Sequence, residues 1–94
     1  MTWEDIPLSD VPEEVQLPLD VQRKCRNDYV NSELSLSYRR QSNADTAEWA
    51  VRVTEDIPDS NLTTASTEKY YFVRNQEGQW VEQPFQHAKL IWYA

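Results

Sequence analysis

One stretch near the end of this 94-residue chain constrains its fold more than any other. Lys69-Tyr70-Tyr71-Phe72-Val73-Arg74 is aromatic and β-branched, the composition that strands favour. Asn75-Gln76-Glu77-Gly78 follows, then Gln79-Trp80-Val81-Glu82, and Gly78 is the only glycine in the sequence. Asparagine opening the turn and glycine closing it fit a type I turn followed by a left-handed residue, which predicts a β-hairpin over 69–83. With Asn75 opposite Gln79, Arg74 faces Trp80, Val73 faces Val81 and Phe72 faces Glu82. One face of the hairpin then carries Tyr71, Val73 and Val81, and the other carries Tyr70, Phe72, Arg74, Trp80 and Glu82. The first is purely apolar and is assigned to the core. The second mixes rings with both charge signs, with Arg74 placed to stack on Trp80, and reads as an exposed binding surface.

The segments before the hairpin supply more strands and one helix. Leu34, Leu36 and Tyr38 alternate with Ser35, Ser37 and Arg39; Trp49, Val51 and Val53 alternate with Ala50, Arg52 and Thr54. Period two over such lengths predicts two half-buried strands, joined through the turn-rich Gln41–Thr46. Val21, Cys25 and Tyr29 recur at helical spacing, so an amphipathic helix is expected from Pro18 or Leu19 to about Asn31. Ser9-Asp10-Val11-Pro12-Glu13-Glu14 is a helix-start signal, cut short by Pro18 to one or two turns. Residues 55–67 read as a long polar loop. Ala88-Lys89-Leu90-Ile91-Trp92-Tyr93 reads as a last strand after the break at Pro84.

A helix followed by strands with no crossover helix favours an α+β fold. The expectation is one N-terminal amphipathic helix packed on a four- to five-stranded antiparallel meander sheet in two layers. All 94 residues belong to a single domain in this reading, with 1–17 an acidic, proline-containing arm and 18–94 the helix and sheet. Glu4-Asp5-Ile6-Pro7 recurs as Glu55-Asp56-Ile57-Pro58, too short a match to signal duplication.

Sixteen acids against nine bases give a net charge of −7. Affinity for nucleic acid rests on cations that neutralise phosphates, so direct nucleic-acid binding is not expected, nor is docking on anionic lipid. The charge is uneven: residues 1–20 contain six acids and no base, and residues 41–68 contain six acids and only Arg52. Such segments suit a partner with a basic surface. No apolar run reaches membrane-spanning length, no signal peptide is evident and Cys25 is the only cysteine, which together point to the cytoplasm.

Catalytic and ligand-binding inventories are thin. Cys25 and His87 are the only soft metal ligands, below the number a zinc site uses. One glycine is too few for the usual phosphate loops. Cys25 with His87 is the single nucleophile–base combination on offer, with Asp28 as an orienting acid. Neither an enzyme nor a cofactor is expected. Asn61-Leu62-Thr63 matches a glycosylation pattern by chance.

These observations lead to a small acidic protein-interaction module: an inhibitor, adaptor or assembly factor. Its contact residues are Tyr70, Phe72, Arg74, Trp80 and Glu82 on the hairpin, with Glu55, Asp56 and Asp59 adding acid. Two alternatives stand beside it. One is a mimic of nucleic acid that antagonises a DNA- or RNA-binding enzyme. The other is a small apolar-ligand module with a pocket lined by Tyr70, Phe72, Trp49 and Trp92. The chain is expected to be a monomer, or a homodimer paired through its C-terminal strand.

Overall fold

The computed structural model describes residues 2–26, 33–42, 47–58 and 64–93. Five strands run β1 (Glu4–Ile6), β2 (Glu33–Ser42), β3 (Ala47–Pro58), β4 (Thr64–Arg74) and β5 (Trp80–Glu82). They form one sheet in the order β1-β2-β3-β4-β5, with every neighbouring pair antiparallel. The α+β class and the antiparallel meander therefore stand. Helices α1 (Leu19–Cys25) and α2 (Phe85–Trp92) complete the described elements, with single 3-10 turns at Leu8–Asp10 and Glu13–Val15.

The last hairpin takes the register expected from its turn. Phe72 pairs with Glu82, Val73 with Val81 and Arg74 with Trp80. The Asn75 side-chain oxygen accepts from the Glu77 and Gln79 amides at 3.0 and 2.8 Å, which holds the turn in shape. Gly78 closes it at φ 84°, in the region that a side chain disfavours. The period-two segments also pair as expected, Leu36 with Val53 and Tyr38 with Val51.

Both faces of the sheet are covered. On the first, Tyr38, Trp49, Val51, Val53 and Phe72 meet Val11, Val15, Leu17 and Cys25 from the N-terminal segment and α1. On the second, Ala50 and Tyr71 meet Ala88 and Trp92 of α2, with Trp3, Val73 and Ile91 around them. A two-layer arrangement with one helix is thus not what is found. The rings of Tyr38 on β2 and Trp80 on β5 stand 6.3 Å apart, although two strands lie between theirs. A flat sheet would separate those strands by roughly 14 Å. The sheet curls, bringing side chains of β2 and β5 together over the N-terminal segment.

Four further expectations change. Residues 55–67 are not one loop: β3 continues to Pro58 and β4 begins at Thr64, while 59–63, including Asp59 and Asn61, lie outside the described residues. Helix α1 stops at Cys25, and Arg26 is already extended; Asp28, Tyr29 and Val30 lie outside the described residues, as do 43–46 of the Gln41–Thr46 link. The arm is no loose arm, since Glu4, Asp5 and Ile6 pair with Arg40, Arg39 and Tyr38.

The last change is the largest. Phe85–Trp92 is a helix rather than a strand, so strand pairing through this segment is not a route to a dimer. Pro84 directly precedes it with φ −66°, a value already suited to a helix start. Ala88 and Trp92 then recur at i, i+4 and bury against the sheet. At the other end, the Arg39 guanidinium donates a hydrogen bond to the Ile91 carbonyl, placing a cation at the negative end of the helix.

Candidate docking surface

The N-terminal segment reaches its place through two side chains of the sheet. The Leu17 amide donates to the Tyr38 hydroxyl at 2.9 Å, and the Trp80 indole N–H donates to the Val15 carbonyl at 3.1 Å. Gln22 Nε2 donates to the Leu17 carbonyl at 2.8 Å, tying the start of α1 to the same point. Each contact satisfies a backbone group that the irregular path leaves without a ladder partner. Prolines 7, 12 and 18 break this path into short turns, with Val11, Val15 and Leu17 pointing inward. Glu13 and Glu14 between them point out, while Gln16 Nε2 donates back to the Val11 carbonyl at 3.3 Å.

All the acids of this layer are therefore at the surface. Glu4, Asp5, Asp10, Glu13, Glu14 and Asp20 are each exposed. Asp5 pairs with Arg39 at 2.7 Å. Leu8 and Leu19 are exposed within the same layer. The result is an acidic surface with two apolar points, held on the sheet by buried side chains.

The predicted contact residues divide by burial. Phe72 is 7 % exposed and belongs to the core, and Glu55 is fully buried on the same face of the sheet. Tyr70 and Trp80 are partly buried and packed on that core. The division of the hairpin into two faces holds, but the face assigned to solvent is the one the N-terminal layer covers. Arg74 does not stack on Trp80; its Nη2 lies 3.1 Å from where a Cβ on residue 78 would sit. Glu82 is exposed beside Trp80 on the edge strand. Asp56 sits on the opposite face and accepts from Ser35 Oγ at 2.7 Å.

Other combinations are taken apart by the sheet. Cys25 is buried on the N-terminal side, whereas His87 is exposed on α2 on the other side. The four rings of the suggested ligand pocket divide the same way: Trp49, Tyr70 and Phe72 on one face, Trp92 on the other. Trp92 instead lies between two guanidinium groups, Arg39 at 4.7 Å and Arg52 at 4.8 Å from its ring centre. No three His, Cys, Asp or Glu side chains among the described residues gather as a metal site. None of the described helices is long and apolar enough to cross a membrane.

The acidic layer was half visible in the sequence, because six acids without a base can be counted. Its fixed position was not, since turns broken by proline carry no periodicity. No protein-family model, curated protein or solved structure matches the chain.

Proposed function

We propose that this chain is a small interaction module without catalytic chemistry of its own, docking on a basic surface of a protein partner in the cytoplasm. The contact is made by the acidic layer over residues 4–20, with Trp80 and Glu82 at its rim. Phe72 and Glu55 support that surface from beneath rather than touching the partner.

One observation carries this reading: all six carboxylates of the layer are exposed on a segment anchored by Tyr38 and Trp80. Fixed like charges raise the encounter rate with an oppositely charged partner and bias its orientation. Anchoring also lowers the ordering cost that a free acidic arm would incur on binding.

The test is affinity capture with immobilised wild type and with a variant carrying Asp10→Asn, Glu13→Gln, Glu14→Gln and Asp20→Asn. A protein held by wild type, released by high salt and absent from the variant supports the reading. Partners retained equally by both contradict it. Displacement of the captured protein by duplex DNA or by RNA separates the nucleic-acid mimic from the inhibitor, adaptor or assembly factor.

A further inference from the structure

The sheet is five strands wide at one end and three at the other. β1 pairs with Tyr38–Arg40 of β2, and β5 pairs with Phe72–Arg74 of β4. Beyond them β2, β3 and β4 run on together, so both outer edges of that half are bare among the described residues. A bare edge invites another strand, and proteins blunt such edges with charge, proline or a bulge. The β4 edge is blunted. Its pairing with β3 slips between Val53 and Thr54, which leaves Lys69 without a cross-strand partner, and Glu68 precedes it in sequence. The β2 edge is not. Its pairing with β3 is unbroken from Glu33 to Ser42, and Leu34-Ser35-Leu36-Ser37 contains neither charge nor proline.

The flanks of this edge have a definite chemistry. Leu34 and Leu36 are half-buried on the face that α1 covers, while Ser35 lies on the other face and donates to Asp56. A cleft of about 430 Å³ separates the edge from α1, lined by Leu19, Gln22, Arg23, Arg26, Glu33 and Leu34. Leu19 is 68 % exposed there. Arg23, Lys24 and Arg26 are exposed around it, outnumbering Asp20 and Glu33, on a chain whose net charge is −7. A second cleft reaches both Leu36 and Ser37, from opposite faces of β2, with Pro7 and Leu8 at its margin.

We infer that the β2 edge from Glu33 to Ser37 accepts an extended segment of another protein as a sixth strand of the sheet. Its backbone pairs with the bare groups of β2, and every second side chain joins the row of Leu34 and Leu36 beside Leu19. A carboxylate near one end of it meets Arg23, with Lys24 next along the helix. The occupant is therefore apolar on one side and acidic at one end. A second copy does not fit this edge. Antiparallel self-pairing over 33–37 would set Glu33 opposite Ser37 of the second copy, where that copy's own Pro7 follows the strand paired at Tyr38. The site goes beyond the basic-partner reading and does not rest on it.

Selection from a phage-displayed library of random peptides, with the full chain immobilised, tests this. Retained peptides should alternate apolar with polar residues and contain Asp or Glu toward one end. Synthesised and added to the free chain, they should slow hydrogen exchange at alternate amides within Glu33–Ser37. A single N-methyl group walked along the peptide backbone should abolish binding at every second residue, the period of strand pairing. Arg23→Glu with Lys24→Glu, both exposed, should weaken binding roughly tenfold.

A library that yields no binder overturns the proposal. So do retained peptides that are basic, that leave the amides of 33–37 unprotected, or that tolerate N-methylation without a period of two. A chain that sediments above 11.1 kDa with those amides already protected overturns it in favour of a second copy. The exchange and N-methyl experiments use wild type alone, so they decide the matter even if the charge-reversed variant does not fold. That variant keeps Asp10, Glu13 and Glu14, so its capture of a basic partner is read separately from its binding of peptides.

Discussion

The Leu17 amide donates a 2.9 Å hydrogen bond to the hydroxyl of Tyr38, a side chain at the middle of β2. With the Trp80 indole bond to the Val15 carbonyl, this contact joins the irregular N-terminal layer to the sheet. Both groups are shielded from water, so losing either partner strands the other.

Tyr38→Phe should therefore cost about 1–3 kcal/mol, the penalty for a buried donor left without an acceptor. Urea unfolding measures it as a lower midpoint with an unchanged slope. A pH series adds a second signature. Burial pushes the Tyr38 hydroxyl above its ordinary value of 10.0, and the Leu17 amide offsets part of that rise. The unfolded chain then loses this proton first. The contribution from Tyr38 is complete below about pH 10 and is lost as pH rises through the higher folded value. The difference between wild type and Tyr38→Phe should shrink over that alkaline window.

Phe72→Ala should destabilise the chain by about 3–5 kcal/mol, as truncation of a core ring does. Total stability for a domain of this size is roughly 5–10 kcal/mol, so the variant should lose a third or more of it and melt at a clearly lower temperature. Thermal melting decides between this outcome and the alternative of an exposed binding ring, for which the melting temperature would hardly move.

Helix α2 depends on the pair Arg39 and Trp92, stacked at 4.7 Å. A double-mutant cycle with Arg39→Ala and Trp92→Ala should return a coupling of about 0.5–2 kcal/mol, the range for a cation on an aromatic face. Arg39→Ala should also speed cleavage by trypsin after Lys89, because it removes the donor to the Ile91 carbonyl.

Gly78→Ala should cost about 1–2 kcal/mol, the penalty for a side chain in the left-handed region. The new methyl would also stand 3.1 Å from Arg74 Nη2, which must shift. Amide shifts confined to 74–80 would verify that the effect is local.

The hairpin from β4 to β5 was legible in the sequence because Asn75 and Gly78 prescribe a turn, and the turn prescribes a register. That register sorted Tyr71 and Val73 from Tyr70, Phe72 and Trp80 correctly. It could not say which side faces water, because the cover on the Phe72 side is a chain of short turns without a period. Leu90-Ile91-Trp92-Tyr93 misled for a related reason. A short run that is apolar throughout fits a strand or a buried helix equally, and length does not separate them. Pro84 followed by Ala88 and Trp92 at i, i+4 is the signal that favours the helix. Glu55–Pro58 and Thr64–Thr67 read as loop because they are polar, yet backbone pairing between β3 and β4 carries the strands through them.

Everything proposed for the surface requires residues 4–20 to be a fixed layer rather than a free arm. Hydrogen exchange at the Leu17 amide tests that most directly. The account predicts protection of this amide approaching that of Val51 and Val53 at the centre of β3. Exchange at the rate of an unstructured chain, with β3 still protected, would contradict it.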